Sequence, residues 1–176
     1  MIEVTVTADG LYWFDSVYFG KTLDELVNEM HEYVNEVNGW DINKGKIKKG
    51  CYGYETYACI IGFIMEKFKT FHETLKDEDG DVKPLQEIVL KEEWLNEEKM
   101  SILVHRAWKK LYVYWRDNKP WMWEGQSKRY KPYNLLGDER RDKHALMSFE
   151  DLPLEEKEKD LILAKFLVNF LIKVCQ

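Results

Sequence analysis

The sequence predicts a mainly α-helical protein of α+β character, a small N-terminal β-hairpin followed by helices, and three observations carry that expectation. Apolar residues recur at helical spacing over Leu23 to Val37, Tyr57 to Phe71 and Met100 to Trp115. A period-two run with a turn signal stands apart at the N-terminus. The last segment, Leu161 to Val174, is apolar almost all round, which points to burial on more than one side or to a partner surface.

The elements follow in order. Ile2-Glu3-Val4-Thr5-Val6-Thr7 alternates apolar and polar residues, Asp9-Gly10 marks a hairpin turn, and Leu11 to Phe19 is rich in aromatic and β-branched types suited to a strand. Thr22 with Glu25 three places on forms a capping box, and Leu23, Leu26, Val27, Met30, Tyr33, Val34 and Val37 continue on one face until Asn38-Gly39. Asp41 to Gly53, with four lysines and three glycines, reads as a loop whose lysines are solvated or touch an anion. A second helix from about Tyr54 carries Tyr57, Ile60, Ile61, Ile64, Met65, Phe68 and Phe71, a core stripe. Asp77-Glu78-Asp79-Gly80-Asp81 opens like a calcium loop, but Val82 and Ile88 stand where the turn glycine and the bidentate glutamate belong, so an exposed acidic connector is the better reading.

Pro84 marks a candidate boundary, giving an N-terminal region of residues 1–84, a connector of 85–95 and a C-terminal helical domain of 96–176. In that domain a helix from about Asn96 to Asp117 carries Met100, Leu103, Val104, Ala107, Trp108, Leu111, Tyr112 and Trp115 on one stripe, with Glu97 and Glu98 at its positive end. Asn118 and Pro120 end it, and an irregular aromatic-rich connection follows. His144 to Leu152 reads as a short extended approach to Pro153, which opens the last helix with Glu155 and Glu156 in its first turn.

Bulk composition narrows the class of protein. Hydrophobic content of 45%, charged content of 33% and 14% aromatics describe a chain that folds. No segment approaches the ~20 apolar residues that span a bilayer, and the N-terminus lacks a signal-peptide pattern, so a cytoplasmic location is expected. Three cysteines, Cys51, Cys59 and Cys175, without paired spacing fit reduced, inert thiols. The net charge of −6 is segregated: residues 1–104 hold 11 basic and 21 acidic residues, 105–144 hold 11 and 5, and 145–176 hold 4 and 6. A basic island sits in an acidic chain.

No catalytic set is visible. His31, His72, His105 and His144 are scattered without helical ligand spacing, and there is no phosphate-cradling glycine motif, serine elbow or nucleophilic cysteine context, so no metal, cofactor or catalytic residue is expected. The positive signal is the mixture of Trp108, Tyr112, Trp121 and Trp123 with Arg140, Arg141 and Lys143. Flat aromatic faces stack on bases, and guanidinium and ammonium groups pair with phosphate, which together suit a nucleotide; the plain alternative is core aromatics and solubilising lysines. A long nucleic acid is not expected, because the acidic remainder repels an extended polyanion.

The order of residues then resembles the ryanodine receptor repeat (RyR) domain over about 96–174. His105 and Trp108, Trp121 and Trp123 with Gly125, Asp138-Glu139-Arg140-Arg141, and His144, Leu146 and Phe149 follow the family pattern, closed by Leu152-Pro153, Glu155-Glu156-Lys157 and Asp160. Ala145 stands where the family has proline, Glu124 is an extra residue, and Gln126 to Gly137 is longer than the usual connection. The resemblance implies two long packed helices and, by analogy with bacterial and phage members, non-catalytic binding of an adenine-nucleotide-like or ADP-ribose-like molecule. By that resemblance Trp108 is the leading stacking residue, with Tyr112 on the same face and His144 beside the basic cluster. A protein-interaction or homo-oligomerisation module working through the last helix is the alternative; hydrolysis of a nucleotide signal ranks third.

Overall fold

The computed structural model describes residues 4–7, 10–13, 16–40, 47, 52–81, 92–118 and 139–175; for 4–7, 10–13, 52, 92–93, 115–118 and 139 it describes the backbone alone. The expected architecture is present: a mainly helical chain with a two-stranded antiparallel hairpin at its N-terminus. β1 (Val4–Thr7) pairs with β2 (Gly10–Trp13), Thr7 opposite Gly10 and Val4 opposite Trp13.

The expected strand from Leu11 to Phe19 is corrected. β2 is described as Gly10–Trp13, and Val17–Tyr18 belongs instead to a second, smaller hairpin in which β3 (Val17–Tyr18) pairs with β4 (Lys21–Thr22). Its turn puts Phe19 at φ 53° and Gly20 at φ 85°, two left-handed residues in succession as a tight hairpin demands. Phenylalanine is a costly choice there; its ring is held edge-on to Phe68 at 5.6 Å and His72 at 5.1 Å. Packing onto the core offsets the backbone strain.

α1 (Leu23–Asn38) begins as expected: the Thr22 hydroxyl accepts from Glu25 N at 3.1 Å while the Glu25 carboxylate accepts from Thr22 N at 3.2 Å. Leu23, Leu26, Val27, Met30 and Val34 are buried, but Val37, expected on the same stripe, is 50% exposed because the helix runs past the core in its last turn. Gly39 closes the helix at φ 65°, its N–H directed at the carbonyls of Asn35 and Glu36. A Cβ at Gly39 meets nothing within 4 Å, so substitution there tests backbone conformation alone. Gly39→Ala is expected to lower the unfolding free energy by about 1 kcal/mol, read from urea denaturation with an unchanged m-value.

α2 (Tyr52–Glu73) is the central helix, with Tyr54, Ala58, Ile60, Ile61, Ile64, Met65 and Phe68 buried. Its buried tyrosine has a polar outlet, Tyr54 Oη donating to Asp24 Oδ1 at 2.7 Å. Asp77 spends one carboxylate oxygen on the N–H groups of Asp79 and Asp81, each at 2.9 Å, in an exposed turn. Among the described residues no group of three potential ligands is placed to hold a metal ion.

Of the expected connector, residues 92–95 form a short helix, α3 (Glu92–Leu95), whose Trp94 stacks on Phe71 at 5.7 Å. α4 (Glu97–Asn118) is launched by Asn96, whose side-chain oxygen accepts from Lys99 N at 2.9 Å. Residues 139–145 form a helix, α5 (Glu139–Ala145), that no apolar periodicity announced. The extended approach expected from His144 to Leu152 is likewise corrected: His144 lies inside α5, and Phe149–Asp151 forms a 3₁₀ turn before α6 (Leu154–Val174). Phe149 and Leu152 are buried, so the chain coils to place both against the helices rather than running straight past them.

α4 and α6 form the most extensive helix pair, with α1 and α2 packed beside them. One hydrophobic core gathers Leu26, Met30 and Ile64 from before Pro84 with Val104, Ala107, Ala164, Leu167 and Leu171 from after it. The nearly all-apolar α6 is thereby accounted for: Leu163, Phe166 and Phe170 pack partly against this core, and Lys165, Asn169 and Lys173 take the exposed positions. Among the described residues no helix is long and apolar enough to cross a membrane. Cys59 and Cys175 are buried free thiols, and burial pushes the Cys175 thiol up; Cys51 lies outside the described residues.

Candidate functional site

A cavity of ≈ 420 Å³ opens where five helices meet, a size within the range of small-molecule sites. α4 contributes His105 and Trp108, α5 contributes Arg140, Arg141 and His144, and α6 contributes Glu156, Lys159 and Asp160. The opposite wall comes from the N-terminal half, with Val34 and Trp40 at the end of α1 and Tyr57 and Ile60 on α2.

The short helix α5 has little intrinsic stability, so its position depends on side-chain anchors. Tyr112 Oη on α4 donates to Asp142 Oδ1 at 2.8 Å, and Arg140 Nη1 donates to Glu156 Oε1 on α6 at 2.8 Å. Just beyond α5, the carbonyl of Met147 accepts from both His105 Nε2 at 2.8 Å and Lys109 Nζ at 2.9 Å. These contacts hold the basic residues of α5 against the mouth of the groove between α4 and α6.

A carbonyl only accepts, so the His105 Nε2 facing Met147 carries a proton. The other ring nitrogen, Nδ1, lies 3.5 Å from Asp160 Oδ2, a pair that becomes ionic only when the ring is protonated. Burial pushes the Asp160 carboxyl above its ordinary range, against the opposing pull of the His105 hydrogen bond. Glu156 is compensated differently. Its Oε1 accepts from Arg140 and, at 3.1 Å, from Lys159 Nζ, and its Oε2 is 3.9 Å from His144 Nδ1. The Lys159 and Arg140 cations hold the Glu156 carboxyl below its ordinary range despite burial, and burial, outweighing Glu156, holds His144 below the usual imidazole range.

Trp108 is half-buried, and its indole lies nearly parallel to His105 (5.8 Å, 20°) and Tyr112 (5.3 Å, 15°), neighbours before and after it on α4. Centroid separations this long at such small angles belong to offset rings, which leave part of the indole to the cavity. Of the residues expected at a site, the structure thus brings together Trp108, Arg140, Arg141 and His144. Tyr112 is fully buried behind Trp108 and holds α5 through Asp142, and Lys143 is exposed and does not line the cavity. Trp121 and Trp123 lie outside the described residues.

Two contributions to the cavity carry no local sequence signature. The wall formed by Trp40, Tyr57 and Ile60 joins segments far apart in the chain, and no local pattern announces such a pairing. Glu156 and Asp160 read as acidic residues at the start of a helix, yet their four-residue spacing puts both on one face, and that face turns to the cavity. No family model, curated protein or solved structure matches this chain.

Proposed function

We propose that this chain binds a nucleotide-derived small molecule, adenine-nucleotide-like or ADP-ribose-like, without transforming it, through a C-terminal half that resembles the RyR domain. One observation carries the reading: in a chain of net charge −6, Trp108 shares a cavity with Arg140, Arg141 and Lys159, against two carboxylates, Glu156 and Asp160. An aromatic face for a base beside a locally cationic wall for phosphate is the combination a nucleotide requires. The rival reading, assembly through α6, has less support, since Leu163, Phe166 and Phe170 are engaged in part with the chain's own core.

A thermal-shift screen with AMP, ATP and ADP-ribose tests the reading. A ligand present at about 100 times its Kd is expected to raise the melting temperature by about 5–10 °C. Trp108→Ala and Arg141→Ala, each compared with its own ligand-free melting temperature, are expected to lose that shift. If none of the three compounds moves the wild-type protein, or if the shift survives both substitutions, the reading fails.

A further inference from the structure

The geometry points to a vicinal sugar diol as the group recognised by Asp160, so that the site takes ribonucleotides in preference to their deoxy counterparts. This rests on the nucleotide reading above and specifies which part of the ligand each end of the cavity meets. Among the described residues the direct side-chain contact of Asp160 is with His105, reached through Oδ2. Its side chain keeps 15% of its surface and lines the cavity, and no hydrogen bond to Oδ1 is present among the described residues. A carboxylate in that position calls for donors and repels a phosphate. Its two oxygens together offer about four lone-pair sites, enough for two adjacent hydroxyl groups. A carboxylate on the ribose hydroxyls is the same chemistry by which dinucleotide-binding folds read the sugar.

The order of groups along α6 supports the assignment. Glu156 comes first, with Arg140 and Lys159 bonded to it and Arg141 and His144 in the same wall. Asp160 follows one helical turn later, about 6 Å along the axis. Ile162 and Leu163 come next, in the same cavity as Tyr57, Ile60 and Trp108. Cationic, then hydroxyl-accepting, then apolar and aromatic is the order phosphate, sugar, base. Glu156 does not compete for the diol, because two cations are bonded to it directly, whereas the direct partner of Asp160 among the described residues is the imidazole.

Calorimetric titration of AMP, GMP, CMP and UMP and of their four 2′-deoxy counterparts into the full chain tests this. A ribonucleotide that binds is expected to lose roughly 10- to 100-fold in affinity on removal of the 2′-hydroxyl, the range for a hydrogen bond to a charged group. Asp160→Asn retains a hydrogen bond to His105 but removes the charge, and is expected to narrow the ribo-to-deoxy ratio. Equal affinity for both sugars, or an undiminished ratio in Asp160→Asn, overturns the inference while leaving a nucleotide site standing. Failure of all eight compounds to bind also overturns it, and the nucleotide reading then stands or falls on its separate screen with ATP and ADP-ribose.

Discussion

Phe68→Ala is expected to lower the unfolding free energy by about 3–5 kcal/mol. Phe68 is fully buried on α2, and its ring meets Phe19 at 5.6 Å, Phe71 at 5.8 Å, His72 at 5.8 Å and Trp94 at 5.4 Å. Those partners come from three elements: the left-handed turn of the second hairpin, the end of α2 and the short helix before α4. Truncation therefore removes the transfer free energy of the ring and opens a space that several stiff aromatic neighbours cannot readily close. It also withdraws the contact that offsets the positive φ of Phe19, so the second hairpin loosens with the core. Urea denaturation followed by circular dichroism reads the loss. A change under 1 kcal/mol contradicts the packing described for this end of the molecule.

His105→Ala is expected to cost about 3 kcal/mol at neutral pH, because it removes one member of a buried pair and leaves the largely buried Asp160 carboxylate without its imidazole partner. The pH dependence follows from the raised carboxyl. A carboxyl whose folded value lies above its unfolded value contributes stability that is fully present below about pH 4, the unfolded value, and lost as pH rises through the folded value. In His105→Ala the imidazole that opposed the upward shift is gone, so the deficit relative to wild type grows from acid to neutral pH. Glu156 and Lys159, the other charges acting on Asp160, pull in opposite directions and leave that sign unchanged. Asp160→Asn behaves differently: its amide donates to the neutral Nδ1, no buried charge remains, and stability at pH 8 is expected to equal or exceed that of wild type. Denaturation of the three proteins at pH 5 and pH 8 checks both statements, and a deficit in His105→Ala that is larger at pH 5 contradicts them.

The fold was legible wherever a local signal matched the tertiary result. The capping box at Thr22 and Glu25, the stop at Gly39, the stripes of α2 and α4 and the proline before α6 all have physical causes within a few residues of where they act. The misses have one cause in common. Phe19-Gly20 is not a usual hairpin dipeptide, and its turn persists because Phe19 packs on Phe68 and His72. Glu139 to Ala145 has no apolar stripe, and it is fastened instead through Asp142 to Tyr112 and through Arg140 to Glu156. Both are tertiary arrangements whose partners lie tens of residues away.

The candidate site divides along the same line. Trp108, Arg140, Arg141 and His144 were visible as chemistry, and the structure gathers them in one cavity. Tyr112 shares a helix face with Trp108, but one turn further along α4 that face meets Asp142 rather than open space, so helical spacing alone does not separate a lining residue from a supporting one. The carboxylates were hidden for a different reason. Glu156 sits in the first turn of α6, where acidic residues are common for the sake of the helix dipole, and Asp160 lies one turn further; only the approach of Arg140 and His105 shows that both also face a cavity.

The most direct test of the central claim is a crystal structure of the chain soaked with the ribonucleotide that gives the largest thermal shift. Ligand density is expected in the cavity between α4, α5 and α6, with the phosphate within hydrogen-bonding distance of Arg140 or Arg141, the sugar hydroxyls on Asp160 and the base against Trp108 or Tyr57. Density at any other surface, or a phosphate seated beside Asp160, contradicts that claim.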